Sequence, residues 1–108
     1  MQCRDLYVIS VHFKARTGFE NVLRDVLRQT VRDCDGQEGV ILYSLHQDKE
    51  NPLIFMMYGH FTSEASFRLH IDSAVMRKAQ DAVAAMLEEK PEFTYWSVLE
   101  KSGEDKCR

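Results

Sequence analysis

The chain has 108 residues, a formal net charge of −3, 44% hydrophobic residues and 29% charged residues. These figures fit one folded domain and exclude a wholly disordered chain. The acidic balance lacks the basic footprint that a nucleic-acid backbone or an anionic membrane surface requires, and no apolar run approaches the roughly 18 residues of a membrane span.

The opening residues Met1 to Asp5 carry none of the apolar stretch of a secretion signal. Cys3, Cys34 and Cys107 are odd in number, widely spaced and without a Cys-x-x-Cys pair. That pattern predicts free thiols, no zinc ribbon and a reducing, cytoplasmic setting. Residues 1–100 are expected to form a single domain and residues 101–108 a charged, frayed tail. A domain of this size hides only about 65% of its unfolded surface, so association would help it.

Leu6 to Phe13 is rich in β-branched and aromatic residues and predicts a strand. After Ala15-Arg16-Thr17-Gly18, residues Phe19, Val22, Leu23, Val26, Leu27, Thr30, Val31 and Cys34 follow the stripe of an amphipathic helix. Thr17 and Glu20 have capping-box spacing, and Asp35-Gly36 is a stop signal. Gly39 to His46 and Leu53 to Phe61 are two further strands joined by the polar turn Asp48-Lys49-Glu50-Asn51-Pro52, which makes them a hairpin. The third strand is almost wholly apolar, as a strand covered on both faces would be. A helix is expected from Thr62-Ser63-Glu64, carrying Phe67, His70 and Ile71, and a longer one from about Ala74 to Glu89 after the capping pair Asp72-Ser73. Phe93 to Leu99 is the last strand.

The order β-α-β-β-α-β predicts an α+β, ferredoxin-like fold: a four-stranded antiparallel sheet with its helices on one face. Strand alternation puts Val8, Leu42, Ile54, Met56 and Tyr58 on the other face, where a second copy of the chain would cover them and give an isologous homodimer.

No dinucleotide fingerprint, phosphate loop, nucleophile elbow or zincin motif occurs, so the chemistry must be sought among four histidines and the aromatics. His12 and His60, on first and third strands taken as parallel neighbours, would lie close together, with His46 remote from both; two imidazoles fall short of a metal site and fit a polar margin of the dimer face. His70, at the edge of a helical apolar stripe, faces the space between helices and sheet if the stripe faces inward. Gly59 removes a side chain from a buried strand and leaves room there. A pocket near Gly59, walled by aromatics and holding one imidazole, suits a flat apolar ligand; a histidine that only completes the packing is the competing reading.

Between Leu6 and Leu99 the chain resembles the antibiotic biosynthesis monooxygenase family of dimeric α+β-barrel proteins. The resemblance is carried by Lys14-Ala15-Arg16-Thr17-Gly18, by Gln37-Glu38-Gly39-Val40-Ile41-Leu42-Tyr43-Ser44-Leu45, by the 47–52 turn, and by Phe61-Thr62-Ser63-Glu64-Ala65-Ser66-Phe67-Arg68-Leu69-His70 with Ser73. It implies a homodimer with a pocket between sheet and helices in each subunit. Several relatives oxidise quinols or phenols with molecular oxygen and without a cofactor. It implies His70 as the proton-accepting residue and Tyr43, Gly59, Phe61, Phe67 and Trp96 around a small aromatic substrate, with Tyr43 or Tyr58 hydrogen-bonding its oxygen. The family's frequent Glu-x-Trp is replaced here by Gly59-His60-Phe61. Gln80, His70 and Val11 stand where haem-degrading relatives keep their iron ligand and its supports. A ligand-binding or stress-related dimer without catalysis, or an isomerase of a small metabolite, which Arg68 and Lys78 keep open although no Arg/Lys cluster marks a phosphate site, are the alternatives.

Overall fold

A computed structural model describes residues 6–103. Cys3, Cys107 and most of the expected tail therefore lie outside the described residues. The elements run β1 (Tyr7–Lys14), α1 (Glu20–Asp33), β2 (Val40–Gln47), β3 (Ile54–Phe61), α2 (Glu64–Ile71), α3 (Ala74–Val83) with a following 3-10 turn at Ala84–Met86, and β4 (Glu92–Trp96). The strands form one sheet in the order β2-β3-β1-β4, and every neighbouring pair is antiparallel. This is the ferredoxin-like α+β fold that the element order predicts.

The direction of β3 corrects one expectation. The α1 crossover makes β1 and β2 run the same way, and the hairpin reverses β3, which lies between them. β1 and β3 are therefore antiparallel. His12 stands opposite Met56 and His60 opposite Val8, at different ends of the sheet. It is His46 that shares the row of His12, with Met56 between the two.

The core fills the space between the sheet and the helices. Ile9, Val11, Phe55, Met57 and Phe61 project from the sheet onto Leu23 and Leu27 of α1, Phe67 of α2 and Val83 of α3. The apolar stripe of α1 supplies Leu23, Leu27 and Thr30 to this layer.

Local chemistry sets the element ends. The Ser63 hydroxyl caps α2 by accepting from the Ser66 amide at 3.1 Å, and the Ser73 hydroxyl caps α3 by accepting from Met76 at 3.3 Å. The capping box expected at α1 is only half formed. Phe19 is the cap residue, and the Glu20 carboxylate reaches back to the Gly18 amide at 2.9 Å rather than pairing with Thr17. The last helix is shorter than its periodicity suggests. Beyond Met86 the chain turns extended to bridge Leu87 to Ala15, and the Glu88 amide donates to the Lys14 carbonyl at 2.9 Å.

Candidate active site

A cavity of about 350 Å³ lies between the sheet and the helices. Its floor draws on all four strands, through Tyr43 of β2, Met57 of β3, Ile9 and Val11 of β1, and Phe93 of β4. The helices supply the opposite wall, with Leu27 and Thr30 from α1, His70 from α2, and Met76, Ala79 and Val83 from α3. The lining contains no charged side chain. Its exposed members, Gln80, Ala84 and Phe93, mark the mouth between the end of α3 and the edge strand, while His70, Leu27 and Met57 belong to the buried interior.

His70 is 3% exposed. Its ring stands edge-on to Tyr43 at 4.7 Å between centroids and lies 5.0 Å from Phe61. Nδ1 is 2.9 Å from Oε1 of Gln37, whereas Nε2 is buried and has no hydrogen-bond partner. Burial in these apolar surroundings lowers the imidazole to about 4, so the ring is neutral at pH 7.

Besides Gln80 at the mouth, the polar groups in and beside the lining are Thr30, Tyr43 and the adjoining Cys34. The Thr30 hydroxyl donates to the Val26 carbonyl at 2.9 Å. The Tyr43 hydroxyl finds only the Met76 sulfur, at 3.8 Å, and burial pushes its phenol well above the ordinary range. The Cys34 thiol lies 4.0 Å from the same sulfur and is raised to about 11 by burial and by the neighbouring Asp33. Neither group ionises near neutrality, and the His70 imidazole is neutral there.

The residues singled out from the sequence separate into three positions. His70 and Tyr43 line the cavity. Phe61 and Phe67, 5.4 Å apart, form an aromatic wall behind His70 that continues to Tyr7 and Tyr95. The room left by Gly59 is occupied by protein: a Cβ there would meet the Phe61 ring at 2.6 Å and Ile9 at 3.2 Å. Gly59 therefore admits Phe61 and does not open a floor for a ligand. Trp96 is on the opposite face of the sheet. It pairs with Val8, is 55% exposed and donates its indole N–H to the Ser10 hydroxyl at 2.9 Å, because its parity along β4 is opposite to that of Phe93.

The sequence alone marks no site role for Gln37 or Met76. Gln37 is a loop residue brought to His70 by the fold, and its detectable signal was a polar amide between two glycines. Among the described residues no group of three or more His, Cys, Asp or Glu side chains could hold a metal ion, and no helix is long and apolar enough to cross a membrane.

Comparison with known proteins agrees with this architecture. A provisionally assigned antibiotic biosynthesis monooxygenase from Nitrosomonas europaea superimposes with a TM-score of 0.85 at 18% identity, over 92% of this chain and 95% of that one. A conserved protein of Methanosarcina mazei gives 0.83 at 18% identity, over 90% and 96%. The cofactor-independent oxygenase SnoaB of Streptomyces nogalater gives 0.78 at 14% identity, over 90% and 96%. No curated protein matches the sequence significantly. The model of the antibiotic biosynthesis monooxygenase family matches residues 6–82, most of the chain, and the protein belongs to that family.

Proposed function

We propose that this protein is a cofactor-independent monooxygenase that oxidises a small, neutral aromatic alcohol with molecular oxygen. The observation that carries the reading is the buried, neutral His70 imidazole in the wall of an apolar cavity, its Nε2 without a hydrogen-bond partner. The cavity volume of about 350 Å³ is at the lower end of the ~300–1,000 Å³ typical of ligand pockets, which suits one or two fused rings. The absence of charged lining disfavours an ionised substrate, because nothing there would replace its lost hydration.

The chemistry needs little from the protein. His70 Nε2 takes the proton of a phenolic hydroxyl, and the electron-rich anion then reduces oxygen. One oxygen atom enters the ring as a carbonyl. The other leaves as water with the displaced ring hydrogen and the hydroxyl proton, and the substrate supplies all the electrons. An isolated imidazolium is unfavourable here, as is an isolated phenolate. Formed together, each offsets the desolvation of the other, so proton transfer is coupled to substrate binding.

The second element of the proposal is a homodimer through the open sheet face. Leu42, 50% exposed, and the half-buried Ile54, Met56 and Tyr58 project there with no cover from the chain's own helices. Met56→Lys is expected to shift sedimentation from dimer to monomer; an unchanged sedimentation coefficient removes this interface.

The deciding experiment is oxygen uptake with naphthols and quinols, run with His70→Gln and His70→Ala alongside. Uptake above autoxidation that falls about 100-fold or more in both variants supports the reading. Turnover that continues without oxygen favours an isomerase, and binding without turnover favours a ligand carrier.

A further inference from the structure

We propose that Gln37 is a positioning residue that fixes the proton of His70 on Nδ1 and so leaves Nε2 as a bare acceptor for the substrate. The two residues are 33 positions apart, and their side chains meet at 2.9 Å between Gln37 Oε1 and His70 Nδ1. An amide oxygen can only accept a hydrogen bond, so the ring nitrogen facing it must donate. In a neutral imidazole the other nitrogen then carries the lone pair. That nitrogen is the buried one with no partner.

The loop that carries Gln37 is held at both ends. The Gln37 amide donates to the Cys34 carbonyl at 3.2 Å, its carbonyl accepts from Val40 at 3.3 Å, and the Gly39 carbonyl accepts from the Thr62 amide at 2.9 Å. Gly36 and Gly39 both adopt φ of +82°, the left-handed region that favours glycine. Any Cβ at Gly39 would collide with the Ser66 side chain on α2. The loop is thus pressed against the helix that bears His70, and the amide is presented to the ring by fixed backbone rather than by a free side chain.

The inference rests on the oxygenase reading for its catalytic meaning, but its test does not need turnover. Nitrogen NMR of the full chain with labelled histidine reads which ring nitrogen is protonated, the His70→Gln spectrum identifying the signal. The wild type at pH 7 is expected to show Nδ1 protonated and Nε2 bare. Gln37→Glu keeps an acceptor, and so keeps this tautomer, while its carboxylate raises the ring's proton affinity about 10- to 1,000-fold. Gln37→Met keeps the chain length and removes the acceptor; the tautomers then mix, and kcat falls about 10- to 100-fold with KM unchanged. A wild-type ring protonated on Nε2, or a Gln37→Met ring with the wild-type tautomer, overturns the inference. If Gln37→Met does not fold, the Gln37→Glu titration decides, and an unmoved midpoint is the negative result. The expected tautomer without any oxygen uptake removes the oxygenase and leaves Gln37 in its role. Uptake with the opposite tautomer does the reverse.

Discussion

The two faces of the sheet are built from the same strands and differ in cover: away from the helices Val8, Ser10 and His60 are buried, but the rows beyond them are not. On the covered face, Phe55 and Met57 of β3 are each 1% exposed, and they share their layer with the cavity and His70. On the open face, their neighbours Ile54, Met56 and Tyr58 are only half buried. One row across that face reads His46, Met56, His12, Glu92, and the next reads Ser44, Tyr58, Ser10, Thr94. The lesson concerns β3. Its largely apolar sequence supplies the core on one side and the half-buried Ile54, Met56 and Tyr58 on the other.

The largest effects should come from the covered face. Phe61→Ala empties the wall behind His70 and is expected to cost about 3–5 kcal/mol in urea unfolding, whereas Tyr58→Ala, three residues back along β3 on the open face, should cost far less in the monomer. Equal losses would erase the distinction between the faces.

His70 sharpens the comparison through pH. The folded ring stands at about 4, below the ordinary 6.5. Between these values the unfolded chain binds a proton that the folded chain refuses, so stability falls as pH drops through 6.5 toward 4, by up to about 3 kcal/mol. His70→Leu should remove that part of the slope, measured as the difference between wild-type and variant unfolding at each pH. A wild-type slope that persists in the variant belongs to other groups. In turnover, the acid limb that reports His70 should lie well below pH 6.5 in the free enzyme.

Smaller effects follow at the backbone. Gly59→Ala forces the Phe61 ring to move and should cost about 1–3 kcal/mol, read as a lowered thermal midpoint. Ser63→Ala removes the cap of α2, the helix that carries His70, and should cost about 1 kcal/mol.

Much of the fold was legible because it is encoded by local patterns. The stripe of α1 from Leu23 to Thr30, the 48–52 turn and the serine caps of α2 and α3 each depend on residues within a few positions of one another. The Asp48 carboxylate shows how local this is: it accepts from the amides of Glu50 and Asn51, at 2.8 and 3.0 Å, and these bonds hold it below the usual carboxylate range. The end of α3 departs from its helical period because Leu87 pairs with Ala15, far away in the chain.

The candidate site was legible only in part, for the same reason. Helical spacing put His70 at the edge of an apolar stripe, and the family resemblance named it and Tyr43 as site residues. Nothing local says that Gln37 meets His70, that Phe61 fills the space beside Gly59, or that Trp96 turns away from the cavity. By itself the sequence determined the elements, their order and the apolar excess of the sheet, since these follow from periodicity and turn chemistry between near neighbours. Only the tertiary structure decided which strands are neighbours, which nitrogen of His70 has no hydrogen-bond partner and where the cavity opens. Those outcomes depend on contacts between distant residues, and they exist only once the helices have closed over the sheet.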